Sequence, residues 1–449
     1  MASTMSLTIN NLPTSGAPSD QVYVCLLGND PSAPDTSFGY LDFATGQAVF
    51  SDKTSWAMDS ATMATTLDQI TFPLAVPDIN SGRIYFSVGA PFPAFPASGP
   101  TASKDNATLF DKIEFDSGSN PNINGTSVDF YGISYVISGT DVNDGAVQYG
   151  FDKSRSEIIG ALTSIPASTP TTQESGNTGI FAQTVVEGAA AKAGTPILRV
   201  LAPKTMGLSD WGATEKEFVF WATACSHFLD AYVTQHCFRP NRAFSFYDKT
   251  YTPAGPNTTY YGTTDADGTL SLWTDAAHTQ PYTPVPTLAP PCAPWPLPSM
   301  KPPPPHVPSN YHNVNGTQDE IDWGFLLLGN SVGTGAADHW GNDPLCMAIM
   351  VSICRGVMHL DDGTTSWVDA SQYYQGAGVP TSDTDAPLPP VSTEDLPIFY
   401  YASVLHEKGL DGKAYVLSYD DVYGSNPSIF FAGHPDVTID LHGLDTVMA

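Results

Sequence analysis

A mainly β fold, a barrel or sandwich followed by a stretch of mixed helix and strand, is predicted by three observations. Gly (38), Pro (39) and plentiful Thr, Ser, Tyr and Phe accompany a charged fraction of only 14%, a balance that suits strands and turns better than helices. Short apolar runs separated by Gly, Pro, Asn and Asp fill the N-terminal part of the chain, as in sandwiches and barrels. After residue 201 the pattern changes to amphipathic helix and long polar loop.

Residues 22–27, 39–43, 70–74 and 83–88 (RIYFSV) read as strands of ordinary length, followed by a proline-rich connector at 90–100. Residues 110–137 carry two alternating runs around the turn-rich segment 117–125 and read as a β-hairpin with a long loop. Because strand residues alternate between faces, Ile113 and Phe115 in a core would turn Lys112, Glu114 and Asp116 outward. On the return, Val128, Phe130 and Val136 would face the core, and Asp129, Tyr131 and Tyr135 the other side. Then come a short helix at 154–162, a polar loop, and a strand at 196–201.

Asp210 is placed to cap a helix whose stripe is Phe218, Trp221, Cys225, Phe228, Leu229 and Tyr232, an amphipathic spacing that ends before Pro240. A strand at 242–247 follows, then Asp265-x-Asp267-Gly268. That motif reads as a turn, since the downstream Glu of a calcium loop is absent. Residues 281–308 hold thirteen prolines and read as an extended arm, either a stiff spacer or a peptide ligand. Asp343-Pro344 opens a second helix, apolar nearly all round, that runs to Gly356. A third spans 397–408, and a last strand is expected at 413–419.

Lys plus Arg total 17 against 46 Asp plus Glu, a formal net charge of -29. Such a field repels nucleic acid and anionic membranes and is compatible with a neutral partner such as a polysaccharide. The six cysteines lack CxxC spacing, and no two histidines bracket a carboxylate at metal-binding spacing, so no metal site is expected. The cysteines read as buried thiols or up to three disulfides. Residues 1–10 are polar and the first apolar run is short, so no secretory leader is read.

Glu114 and Asp129 stand out because like charges on one sheet face give a sheet nothing. Such a pair serves acid/base chemistry or is simply two solvated surface acids. Register decides their spacing, and a bulge in the loop would shift it.

With these residues laid out, the chain resembles the β-1,3-glucanases of glycoside hydrolase family 64, relatives of the thaumatin-like proteins. The resemblance rests on Ser81-Gly82-Arg83-Ile84-Tyr85-Phe86-Ser87, on Glu114-Phe115 and on Thr126-Ser127-Val128-Asp129-Phe130. It continues in Leu345-Cys346, Arg355-Gly356, Val404-Leu405-His406, Asp411-Gly412-Lys413-Ala414-Tyr415 and Tyr419-Asp420-Asp421-Val422. It implies a thaumatin-like β-barrel or sandwich over 5–203, an inserted mixed α/β domain over 204–396 with the proline-rich arm at 281–308, and a closing helix and strands over 397–449. A groove between the domains would take the glucan.

By the same resemblance Glu114 is similar to the general acid and Asp129 to the general base of an inverting, endo-acting hydrolase without a cofactor, the two carboxyls widely spaced. Asp116, Asn124, Thr126 and Tyr131, beside the acids in the hairpin reading, are expected to line the sugar groove. Family members carry Thr where this chain has Asp116, and an aromatic residue in the hairpin loop where it has Ile123, so a sugar platform is either missing or supplied from elsewhere. The implied partner is a β-1,3-glucan of laminarin or curdlan type, met as a secreted monomer. Two alternatives stay open: a thaumatin-like glucan-binding protein with little or no catalysis, and an interaction protein working through the proline arm.

Overall fold

The computed structural model describes residues 5–163 except 14–15, 93, 101–106 and 119–120, together with 185–188, 197–202, 243–248, 258–264, 270–281, 400–416 and 427–444. The helices expected from Asp210 and Asp343, the Asp265–Gly268 turn, nearly all of the proline-rich arm and five of the six cysteines lie outside the described residues. Cys25 is a buried free thiol, and burial raises its pKa well above the ordinary range.

The chain begins with β1 (Met5–Asn11), β2 (Val22–Asn29), β3 (Ser37–Asp42), β4 (Gln47–Asp52), the helical turn α1 (Ser60–Met63), β5 (Thr65–Thr66), β6 (Leu74–Val76) and β7 (Asn80–Val88). It continues with β8 (Leu109–Asp116), β9 (Asn122–Asn124), β10 (Phe130–Tyr131), β11 (Ser134–Asp141), β12 (Gly145–Gly150) and α2 (Arg155–Thr163). Later come β13 (Val185–Glu187), β14 (Ile197–Leu201), β15 (Ala243–Asp248), β16 (Thr258–Thr264), β17 (Leu270–Trp273), α3 (Tyr400–Lys408), β18 (Ser428–Phe430) and β19 (Asp436–His442).

Two sheets make the body of the fold. One has the order β12-β11-β19-β1-β6; the other runs β18-β9-β8-β7-β2-β3-β4, with β5 beside β2. Alternation supplies the filling between them. Val24 and Leu26 of β2, Ile84 and Phe86 of β7, and Ile113 and Phe115 of β8 share one core with Leu7 and Ile9 of β1, Tyr135 and Ile137 of β11, and Ile439 and Leu441 of β19. Each such fully enclosed aliphatic or aromatic side chain contributes about 1.5–3 kcal/mol.

The odd-facing residues of the same strands build a second cluster on the outer face. Cys25, Leu27, Phe38, Tyr85, Phe110 and Phe130 meet Trp56, Phe92 and Phe95 there. The larger sheet is therefore apolar on both faces along part of its length, and the site occupies the stretch where the outer cluster stops.

Three expectations change. Residues 70–73 form no strand: Leu67–Gln69 is a 3-10 turn and pairing starts at Leu74. Residues 413–416 make only an isolated bridge, Tyr415 beside Thr126. The hairpin across 110–137 is shorter than alternation suggested. β8 pairs with β9, Glu114 opposite Asn124, whereas β10 joins β14 and β11 crosses to the other sheet beside β19. The period-2 pattern breaks at Gly132 and Ile133, where the chain changes sheets.

Candidate active site

Strand register lays out the outer face of the larger sheet. Glu114 of β8 sits between Arg83 of β7 and Asn124 of β9. The same row continues to Leu27, Tyr40 and Val49 on one side and to Ser428 on the other. Lys112, two residues before Glu114 on β8, shares its face and lies opposite Tyr85. Arg83 and Tyr85, two residues apart on β7, share this face.

Asp129 reaches this face from a loop. Three contacts hold that loop: the Ser127 amide donates to the Tyr415 carbonyl (2.7 Å) and the Ala202 amide to the Asp129 carbonyl (2.9 Å), while the Tyr401 hydroxyl of α3 donates to the Ser127 carbonyl (2.7 Å). Just beyond it, the buried Asp111 carboxylate accepts the amides of Gly132 and Ile133, both at 2.8 Å. Arg155 donates through Nε to the Gly132 carbonyl at 2.5 Å. Gly132 has room for no side chain, because a Cβ there would lie 2.4 Å from the Phe110 carbonyl.

The Lys112 ammonium stands between the two acids. Its Nζ lies 2.5 Å from Asp129 Oδ2 and 3.4 Å from Glu114 Oε1, with the acids' side chains about one third exposed (30% and 33%) and that of Lys112 at 9%. Burial alone would lower the Lys112 pKa, but Asp129 and then Glu114 outweigh it and leave the ammonium more firmly protonated than an ordinary lysine. The two like charges that a bare sheet face would resist are thus compensated, unequally, with Asp129 holding the shorter contact.

The structure brings Glu114, Asp129 and Asn124 to one place. Asn124 lies beside Glu114, and its buried Oδ1 has no hydrogen-bond partner among the described residues. Asp116 also stands on this face, one strand turn along, where Oδ1 accepts the Gly118 amide (2.9 Å) and shapes the loop. Two expected groove residues are corrected. Tyr131 is fully buried, its hydroxyl 2.5 Å from Ser134 Oγ and its ring edge-on to Phe151. Thr126 is also enclosed, at the bridge to Tyr415. Strand alternation does not carry from β8 to these positions, because Thr126 lies in a loop and Tyr131 in β10, which pairs with β14. Lys112, Arg83 and Tyr85 complete the site and were not singled out from sequence, although alternation on β7 and β8 already put Lys112 on the face of Glu114.

The sequence model of a family described as beta-1,3-glucanase, glycoside hydrolase family 64, matches residues 3–285. No curated protein matches the chain significantly. Among solved structures, the family 64 β-1,3-glucanase domain from Clostridium beijerinckii superposes with a TM-score of 0.59 at 16% identity, covering 98% of each chain. A laminaripentaose-producing β-1,3-glucanase in complex with laminaritetraose gives 0.57 at 16% identity, again over 98% of each chain. The family 64 laminaripentaose-producing enzyme from Paenibacillus barengoltzii gives 0.51 at 16% identity, over 98% of this chain and 74% of the other. At this identity the likeness is one of fold.

Proposed function

The chain belongs to the glycoside hydrolase family 64 β-1,3-glucanases, and from that footing we propose that it cleaves β-1,3-glucan internally by an inverting, two-carboxylate reaction that releases oligosaccharides. The observation that carries the assignment of roles is the unequal sharing of Lys112. The shorter contact ties the ammonium to Asp129, the group proposed as general base, and leaves Glu114, at the longer one, in the role of the acid.

In the reaction Glu114 gives its proton to the glycosidic oxygen as the bond to the anomeric carbon breaks, so the departing chain leaves as an alcohol. Asp129 takes a proton from a water whose oxygen bonds to that carbon from the opposite face. Charge is conserved: Glu114 ends ionised and Asp129 protonated, and solvent resets both.

Inverting pairs stand roughly 6.5–9.5 Å apart and retaining pairs about 5–5.5 Å. The ammonium ties Oε1 of Glu114 and Oδ2 of Asp129 to within the sum of contacts of 3.4 and 2.5 Å. Inversion therefore requires the attacking water to lie at the outer oxygens, Glu114 Oε2 or Asp129 Oδ1, rather than between the two that share the ammonium. A second reading, a glucan-binding protein with little turnover, is favoured by one observation: the ammonium itself fills the space between the acids.

Incubation with laminarin or curdlan separates the two. The expected result is soluble oligosaccharides whose new reducing end appears by NMR first as the α-anomer. The β-anomer would overturn inversion, and binding without oligosaccharide release would establish the second reading. Glu114→Gln is expected to lower the rate at least about a hundredfold, the usual contribution of a general acid, while glucan binding persists. Near-normal turnover by that variant would remove Glu114 from the mechanism.

A further inference from the structure

Among the described residues three large apolar side chains stay exposed, Val49, Val142 and Phe430. A single exposed apolar residue needs no explanation in itself, but the register of Phe430 gives it one. Ile429 points into the core between the sheets, so its neighbours Ser428 and Phe430 point to the outer face. Ser428 lies in the row of Asn124 and Glu114, and Phe430 in the next row, with Asn122 and Asp116.

Strand spacing and rise put the Phe430 Cα roughly 12 Å from that of Glu114 on the same face, within reach of a few sugar units. It is the diagonal neighbour of Asn124, at about 7–8 Å. The backbone under the ring is fixed: the Phe430 amide donates to Asp141 Oδ2 (2.8 Å), its carbonyl accepts the Val142 amide (2.8 Å), and the Phe431 amide donates to the Pro121 carbonyl (2.9 Å). The ring, 40% exposed, thus stands on an ordered backbone, which lowers the ordering cost of binding.

We propose that Phe430 is a stacking platform for a glucosyl unit of the bound β-1,3-glucan. The axial C–H bonds of a β-glucopyranose form a flat apolar face that matches an aromatic ring. The proposal rests on the glucanase reading above and adds to it a residue far in sequence from both acids.

Calorimetric titration of laminarihexaose into the Glu114→Gln protein and into its double variants tests it. Phe430→Ala is expected to weaken binding about tenfold, and Phe430→Leu, which keeps apolar bulk but no flat face, nearly as much. Phe430→Trp is expected to bind at least as well as the parent. In the active protein Phe430→Ala should raise KM for laminarin and leave kcat within twofold. Equal affinity of the Ala and parent proteins would overturn the platform alone, and full affinity of the Leu variant would overturn stacking. A Glu114→Gln parent that bound no laminari-oligosaccharide would instead bring down the glucan reading and the platform with it.

Discussion

The Lys112 ammonium stands between Glu114 and Asp129 and offsets the repulsion of two like charges on one sheet face. Replacing Lys112 by Met, which keeps the stem and removes the charge, is therefore expected to lower both the melting temperature and laminarin turnover, and Lys112→Arg to restore part of each. Unchanged melting and turnover in Lys112→Met would mean that the ammonium does not sit between the acids in solution. Asp111 offers a titration, read through stability. Burial pushes it up to about 7 against its three amide contacts and Lys112, so the fold favours the protonated acid. Its contribution is fully present below pH about 4 and is lost as pH rises through 7. Urea midpoints at pH 5 and pH 8 should fall for the parent, and fall less for Asp111→Asn; equal falls would refute the assignment. At this scale the sequence revealed half of the site. Glu114 and Lys112 share a face by simple alternation, whereas Asp129 is brought in by Ala202, Tyr401 and Tyr415, partners that local spacing cannot announce.

Short elements explain the misread hairpin. A three-residue β9 returns beside β8 and stops at Asn124, and the chain then crosses between sheets through Gly132 and Ile133, held by Asp111 and Arg155. Alternation is a property of one paired strand, so carrying it from β8 through the loop into β10, which pairs with β14 instead, put Tyr131 on the wrong side. The longer paired strands β2, β7 and β8, by contrast, were recognisable from their apolar runs. The crossover should be the less tolerant element. At Gly132 a Cβ would lie 2.4 Å from the Phe110 carbonyl, a backbone atom that cannot swing away, whereas at Gly160 in α2 nothing lies within 4 Å. Gly132→Ala is expected to cost about 1–3 kcal/mol by overpacking and to lower activity by shifting Asp129. Gly160→Ala is expected to stabilise by roughly 0.5–1 kcal/mol. Melting temperatures compared with laminarin activity check both, and a neutral Gly132→Ala would show that the crossover can relax.

For the whole molecule, the family match and the folding unit do not end together. The sequence match stops at residue 285, yet β19 (Asp436–His442) lies in the middle of its sheet, parallel to β1 and antiparallel to β11. Without it, β1 and β6 lose contact with β11 and β12, and the buried positions filled by Val437, Ile439 and Leu441 empty out of the shared core. Removing β18 as well takes Ile429 from beside Ile123, and the loss of α3 takes the Tyr401 contact that holds the Asp129 loop. Each large core side chain removed costs about 2–5 kcal/mol, and a whole domain is stable by only about 5–15 kcal/mol. A protein cut after residue 285 is therefore expected to show no cooperative thermal transition and no laminarin hydrolysis, although it contains Glu114, Lys112 and Asp129. Cooperative melting of that fragment, read by near-ultraviolet circular dichroism, would show that the C-terminal strands are dispensable to the sandwich.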